Sequence, residues 1–170
     1  MKEFIPEFSV IPAKGEEKAD EGLPPRALVQ VLAEQKASEV AALHEAQGAA
    51  VVGSDTVVAY GDEILGKPKD EADAKRMLKL LSGKTHQVYT GVCLLLPDGQ
   101  KRIGADCTDV EFESLTDGQI DAYIATGSPM DKAGAYGIQD GGIVKAIRGS
   151  YSNVVGFPCE LFEKWFKEVK

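Results

Sequence analysis

The spacing of hydrophobic residues predicts an α/β chain in which helices and strands alternate. Over residues 25–45 the apolar side chains recur every three or four positions, which is typical of an amphipathic helix, and Gly48 suits its end. Residues 49–58 then form a nearly continuous apolar run, as in a strand buried on both faces. A Gly-Asp pair at 61–62 predicts a tight turn into a short strand at 64–65.

The rest of the chain carries capping and turn signals between further periodic segments. Asp70 suits the N-cap of a helix, and Thr116 followed by Gln119 forms a capping-box pattern. The remaining predicted elements are a strand over 4–11, a long loop over 12–25, helices over 70–81, 116–126 and 160–169, strands over 88–96, 103–112 and 143–147, and a glycine-rich loop over 131–142. Because hairpins join several strands, we expect an α/β fold with a mixed β-sheet and flanking helices, in one domain over 1–170.

Composition narrows the class of protein to an acidic globular domain. Hydrophobic residues make up 44% and charged residues 27% of the 170 residues, and the formal net charge is −8. This negative field works against binding to duplex nucleic acid, and no apolar run approaches the roughly 20 residues that span a bilayer. The cysteines, Cys93, Cys107 and Cys159, show no Cys-x-x-Cys spacing, which favours a reducing compartment. We therefore expect a cytoplasmic protein that binds neither duplex nucleic acid nor a membrane.

Lys36 stands out because it lies on the apolar stripe of the first predicted helix. At about 100° per residue it shares that stripe with Val29, Leu32, Val40 and Leu43. In one interpretation its aliphatic stem covers apolar surface while its ammonium group reaches water. In the other, the stripe lines a cleft in which the ammonium group binds an anion.

Asp55 is the strongest candidate for chemistry because it is an acid within a buried run. A buried, unpaired carboxylate is unstable, so a metal ion or a lysine is expected beside it, unless backbone amides in a turn satisfy it. Lys67 follows a predicted hairpin and is either such a partner or an ordinary exposed lysine. Glu16 and Glu17 are either a solvated pair of acids or the source of the second carboxylate that a magnesium site beside Asp55 would need.

Several short motifs occur in a fixed order along the chain. They are SDTVV at 54–58, GKP at 66–68, LSG at 81–83, HQVYTGV at 86–92, DKAGAYGIQ at 131–139 and GSYSNVVGFP at 149–158. Their order and spacing, from about Phe8 to the C-terminus, resemble the Maf family of nucleoside triphosphate pyrophosphatases.

The resemblance implies an activity and a fold. Members of the family cut a nucleotide between its α- and β-phosphates with help from a divalent metal cation, Mg²⁺ or Mn²⁺, and release a nucleoside monophosphate and pyrophosphate. The run at 131–139 is similar to the branch that acts on dTTP and UTP, so these and modified pyrimidine nucleotides are the expected substrates. The family fold is an elongated α/β structure with a deep cleft, similar to inosine triphosphate pyrophosphatases and often a homodimer.

The resemblance also implies roles for individual residues. The implied roles are general base and metal ligand for Asp55, a shared metal ligand for Glu17, phosphate contacts for Lys36 and Lys67, and substrate choice for Thr56 and Gln139.

One part of the family pattern is missing from this sequence. Members of the family begin with a strand and a Ser-x-Ser-Pro-Arg-Arg loop whose arginines bind the triphosphate, and the sequence contains no such motif. We therefore expect a chain that is N-terminally truncated relative to the family. A non-catalytic nucleotide-binding or regulatory protein, or an inactive fragment, remains the alternative to an active pyrophosphatase.

Overall fold

A five-stranded sheet forms the centre of the part of the chain that the structure, a computed structural model, describes: residues 7–19 and 22–169. The strands are β1 (Val51–Tyr60), β2 (Glu63–Leu65), β3 (Thr85–Leu95), β4 (Lys101–Phe112) and β5 (Val144–Arg148), arranged in the order β2-β1-β3-β4-β5. The α-helices are α1 (Pro25–Ala41), α2 (Glu71–Leu81), α3 (Asp117–Ala125), α4 (Tyr151–Val155) and α5 (Cys159–Val169). The predicted α/β fold with flanking helices is confirmed.

The described strands pair only in the antiparallel sense, whereas a mixed sheet was expected. The reason lies in the hairpin between β1 and β2, which reverses the chain before α2 begins. The connection through α2 then places β3 on the other side of β1, parallel to β2 but not adjacent to it. Both neighbours of β1 are therefore antiparallel to it.

Helix α1 lies directly on one face of β1 and β3 because two glycines leave room for it. A Cβ atom at Gly53 would collide with the backbone of Ala33, and one at Gly91 would collide with the backbone of Val29. The predicted helix over 25–45 is confirmed up to Ala41. Leu43 lies beyond the end of α1 and is 41% exposed, so its predicted place on the buried stripe is wrong.

The opposite face of the sheet carries the remaining helices. Helices α2 and α3 cover one end of this face, where Phe112, Leu78 and Ile120 are buried. Helices α4 and α5 lie at the other end, where Phe162 packs with Val92. The sheet therefore lies between α1 on one side and α2 to α5 on the other. Among the described helices, none combines the length and apolarity needed to cross a bilayer.

The capping predictions agree with the structure. The Asp70 carboxylate accepts a hydrogen bond from the backbone N–H of Asp73 at the start of α2, and Thr116 and Gln119 form the predicted capping box of α3. The predicted loop over 12–25 is confirmed for its described residues as far as Pro24, and the glycine-rich segment 131–142 contains short 3₁₀ turns.

The structure differs from the predicted local structure in two places. Of the strand predicted over 4–11, residues 4–6 lie outside the described residues and 7–11 form no strand; Phe8 and Val10, its alternating apolar residues, are exposed instead of packed. Helix α4 was not predicted, although Ser150 caps its start and Gly156 ends it in a left-handed conformation. A helix of five residues is too short to show helical periodicity.

Candidate active site

A cavity of about 490 Å³ lies beside the part of β1 that β2 does not cover. Its walls come from β1, the facing side of α1, the segment after β2, the loop over 131–139 and helix α4. All six residues to which the resemblance gave a role line this cavity: Glu17, Lys36, Asp55, Thr56, Lys67 and Gln139. Residues that are far apart in the sequence thus meet around one space.

Lys36 joins two carboxylates at the α1 side of the cavity. Its Nζ atom lies 2.5 Å from Asp55 Oδ1 and 2.9 Å from Glu17 Oε1. Asp55 points from β1 toward α1, on the face where Gly53 and Gly91 let the helix come close. The ammonium group of Lys36 is therefore held by two acids in the cavity wall.

The protonation of this cluster follows from its burial. The side chain of Asp55 is only 10% exposed, against 29% for Lys36 and 56% for Glu17. Burial raises the pKa of the Asp55 carboxyl above its ordinary value, and the hydrogen bond from Lys36 opposes that effect. Burial alone would lower the pKa of Lys36, but its hydrogen bonds to Asp55 and Glu17 outweigh this and raise it. Asp55 is thus a carboxylate with increased proton affinity beside a firmly protonated lysine.

Lys67 is exposed and enters the cavity from the segment after β2. This segment is attached to the opposite loop, because the backbone N–H of Gly134 donates to the carbonyl oxygen of Gly66 at 3.0 Å. Asp131, in the same wall, pairs at 3.1 Å with Lys132 and not with Lys67. The positive charge of Lys67 reaches Asp55 and opposes the rise of its pKa.

Gln139 lies on a 3₁₀ turn, Ile138–Asp140, that other side chains hold in place. The carboxylate of Asp140 accepts hydrogen bonds from the hydroxyl groups of Tyr123 at 2.6 Å and Ser128 at 2.7 Å. The Tyr123 hydroxyl in turn accepts from the backbone N–H of Gly137 at 3.0 Å. No motif in the sequence pointed to Tyr123, Ser128 or Asp140, because their shared contact arises only from the fold.

Thr56 lies on the face of β1 opposite to Asp55, toward α4. Its Oγ1 atom is 2.9 Å from Oγ1 of Thr90, its partner across β1 and β3. Thr90 in turn contacts the backbone carbonyl of Asn153 in α4. No role was predicted from the sequence for Thr90 and Asn153, although they lie in the motifs at 86–92 and 149–158.

The acids of the cavity suit a metal ion only in part. In residues 7–19 and 22–169 no three or more His, Cys, Asp or Glu side chains lie close enough to hold one. Glu17 and Asp55 nevertheless direct one oxygen each at the same point, where the Lys36 ammonium group now lies. Magnesium commonly uses one or two carboxylates and takes its other ligands from water and substrate phosphates. Glu17 and Asp55 therefore supply at most two of the ligands, and a metal would take the others from water and a phosphorylated ligand.

The α/β fold and a cavity lined by three acids, one of them the mostly buried Asp55, and three lysines define a class of proteins with a charged ligand cavity. The sequence model of the family described as "Maf-like protein" matches residues 1–169. The chain belongs to this family.

Curated relatives support the same assignment. A protein named dTTP/UTP pyrophosphatase from Agathobacter rectalis is 52% identical over 93% of this chain and 85% of its own length. Proteins of the same name from Thermococcus gammatolerans and Bacillus cytotoxicus are 49% and 50% identical, over 96% and 95% of this chain and 86% and 84% of their own lengths.

Proposed function

We propose that this chain is a nucleoside triphosphate pyrophosphatase that hydrolyses dTTP, UTP and modified pyrimidine nucleotides to the monophosphate and pyrophosphate. The observation that carries the proposal is the convergence of the Asp55 and Glu17 carboxylates on Lys36 inside a nucleotide-sized cavity. The names of relatives at about half identity support the choice of substrates.

Lys36 and Lys67 supply the positive charge that a triphosphate requires. The chain as a whole carries a net charge of −8, so its general field repels a polyanion. The lysines of the cavity wall, Lys36, Lys67 and Lys132, balance the acids there, Glu17, Asp55 and Asp131, so the cavity does not share the negative charge of the whole chain. Lys36 and Lys67 offset the charge that develops on phosphoryl oxygens during hydrolysis. Lys67, which is exposed, is the first cation that an entering phosphate chain meets.

Asp55 acts as the general base. A water molecule attacks the α-phosphorus and transfers a proton to the Asp55 carboxylate. The bond between the α-phosphorus and the oxygen that bridges to the β-phosphate breaks, and pyrophosphate leaves with that oxygen. The raised pKa of Asp55 favours the proton transfer because the carboxylate holds the proton more strongly. Lys36 fixes the orientation of the carboxylate through its contact with Oδ1.

Glu17 and Asp55 are the residues that would hold a divalent cation, Mg²⁺ or Mn²⁺, together with phosphate oxygens of the substrate. When bound, such a cation neutralises phosphate charge and so lowers the barrier to attack. Glu17 is suited to this sharing because its side chain is more than half exposed and therefore free to adjust.

Replacement of Asp55 tests the proposed function. We expect Asp55→Asn to lower kcat for UTP by about 10²- to 10⁴-fold, the usual contribution of a general base, with no decrease in melting temperature. Asp121→Asn is the matched control, since Asp121 also pairs with a lysine, Lys75, but outside the cavity. Near-normal turnover in Asp55→Asn would contradict the assignment of the base.

The alternative of a non-catalytic nucleotide-binding protein predicts a different result. Calorimetry would then show UTP or dTTP binding while no pyrophosphate is released in the presence of Mg²⁺. A cytoplasmic location and a homodimer are further proposals from the resemblance, and light scattering on the purified chain tests the dimer.

A further inference from the structure

A chain of hydrogen bonds leads from the cavity into the core between the sheet and α4. The hydroxyl oxygen of Thr56, in the cavity wall, lies 2.9 Å from the hydroxyl oxygen of Thr90. The Thr90 hydroxyl lies 2.8 Å from the backbone carbonyl oxygen of Asn153. Thr90 and Asn153 are both fully buried, so no bulk water competes for the contact between them.

The chemistry of these groups fixes the direction of the hydrogen bonds. A backbone carbonyl oxygen only accepts, so the single hydroxyl proton of Thr90 is donated to Asn153. The Thr90 oxygen then has only lone pairs left, and Thr56 must donate its own proton to it. The Thr56 oxygen therefore has only lone pairs to present to the cavity.

Other contacts hold the backbone carbonyl of Asn153, the last acceptor in this chain of hydrogen bonds, in place. The side-chain amide of Asn153 donates to the carbonyl oxygen of Val88 and to the hydroxyl of Thr108, each at 3.0 Å. These bonds attach α4 to β3 and β4, so the Asn153 carbonyl cannot turn away from Thr90 without breaking them. The direction of the Thr56 hydroxyl is thus determined by the packing of α4 on the sheet.

Ser54, two residues earlier on the same face of β1, also donates its hydroxyl proton to a backbone carbonyl oxygen. Its hydroxyl lies 3.0 Å from the carbonyl oxygen of Gly91 and 2.9 Å from that of Gly156, and both oxygens only accept. Its proton is therefore also directed into the protein, although Thr90 takes no part. This wall of the cavity offers acceptors to a ligand at two successive positions.

We propose that Thr90 is a positioning residue that makes the Thr56 hydroxyl an obligate hydrogen-bond acceptor for a donor group of the nucleotide. The inference rests on the proposed function. Two groups common to UTP and dTTP have the required chemistry: the imide N–H at N3 of the base and the 3′-hydroxyl of the sugar. Cytosine has no proton at N3, so the first of these contacts would also favour uracil and thymine over cytosine.

Steady-state kinetics on hydroxyl-deletion variants tests the inference. Thr90→Val removes the acceptor of the Thr56 proton, and we expect a rise in KM for UTP of about 3- to 10-fold, the worth of one hydrogen bond, with kcat little changed. Thr90→Ser keeps the hydroxyl and restores KM. In a Thr56→Val background Thr90→Val has no further effect on KM, because it acts only through Thr56.

Two substrate analogues identify the donor. If Thr56 accepts from the imide, N3-methyl-UTP abolishes the difference between the wild-type chain and Thr90→Val, while 3′-deoxy-UTP preserves it. If Thr56 accepts from the sugar, 3′-deoxy-UTP abolishes the difference and N3-methyl-UTP preserves it. A difference that both analogues preserve would overturn the inference.

Ser82→Ala is the matched control for loss of a hydroxyl that contacts the backbone, since Ser82 contacts Leu115 and does not line the cavity. It should lower the melting temperature without changing KM for UTP. An unchanged KM in Thr90→Val, or an equal rise in KM when Thr90→Val is added to Thr56→Val, would overturn the role of Thr90. Neither result would affect the proposed function. A wild-type chain that releases no pyrophosphate from any nucleoside triphosphate would overturn the proposed function and this inference together.

Discussion

Asp55 shows how burial and charge oppose each other at a single residue. Its folded pKa lies above the ordinary value for aspartate, so between these two values the folded chain binds more protons than the unfolded chain. The contribution of Asp55 to stability is therefore greatest at low pH and is lost as the pH rises through the folded pKa. At neutral pH the ionised side chain reduces stability, a cost that is common at functional sites.

Loss of Lys36 should change both the rate and the pH dependence of hydrolysis. Lys36→Met removes the hydrogen bond and the charge that oppose the rise of the Asp55 pKa. The pKa of Asp55 then rises further, so in the pH profile of kcat/KM the acid limb moves to higher pH. We expect kcat/KM at neutral pH to fall by about 100-fold, as for the loss of one group that stabilises developing charge.

Lys75→Met is the control for this profile, since Lys75 forms an ion pair with Asp121 outside the cavity. Its acid limb should coincide with that of the unsubstituted chain. An acid limb that moved to lower pH in Lys36→Met would contradict the electrostatic role given to Lys36.

At the scale of elements, the close contact of α1 with β1 and β3 brings Lys36 to Asp55. Side chains larger than hydrogen at Gly53 or Gly91 would separate the helix from the sheet, because the neighbouring atoms belong to the backbone of α1 and cannot rotate away. The ion pair of the site therefore depends on glycines that carry no functional group. On this side of the sheet, the packing of α1 and the ion pair between Lys36 and Asp55 both require glycine at positions 53 and 91.

Gly53→Ala should lower the stability of the fold and, because it moves Lys36 away from Asp55, the rate of hydrolysis. The added methyl group overpacks the contact between α1 and β1, which we expect to lower the free energy of unfolding by about 1–3 kcal/mol in urea titration. Gly118→Ala is the control, because a Cβ there comes no closer than 4.0 Å to Thr116 Oγ1. If Gly53→Ala unfolded at the same urea concentration as the unsubstituted chain, the close approach of α1 would be disproved.

At the scale of the whole molecule, His86 connects three parts of the core. It is fully buried, its ring lies edge-on to Phe112 in β4, and its Nε2 atom lies 2.8 Å from the hydroxyl oxygen of Tyr136 in the cavity wall. Burial lowers the pKa of His86 from 6.5 to about 4. The fold therefore requires the neutral imidazole.

Acid should destabilise the chain through His86. Between pH 6.5 and 4 the unfolded chain binds a proton that the folded chain does not, so stability falls as the pH decreases through this range. From pH 7.5 to 5 the expected loss of unfolding free energy is about 2 kcal/mol, measured by urea titration at each pH. In His86→Gln, which cannot titrate, this part of the loss should disappear; an equal loss in both chains would refute the assignment to His86.

Several residues of the cavity could be selected from the sequence, but their arrangement could not. Asp55 is conspicuous as an acid in an apolar run, and Lys36 as a cation on an apolar stripe. Their contact spans 19 residues of sequence, and the contact of Thr90 with Asn153 spans 63. No local pattern indicates such partners, which is why Thr90 and Asn153 were missed.

The same division holds for the fold. Local signals correctly predicted the hairpin at 61–62, the cap at Asp70 and the capping box at Thr116, because each of these structures is stabilised within a few residues. The antiparallel pairing of every described strand, the exposure of Leu43 and the short helix α4 depend on which surfaces meet. The sequence by itself determined most of the elements and the chemistry available to the site. Only tertiary packing decided the order of the strands, the meeting of Glu17, Lys36 and Asp55, and the direction in which the Thr56 hydroxyl points, since burial and hydrogen-bond geometry arise only after remote segments have come together.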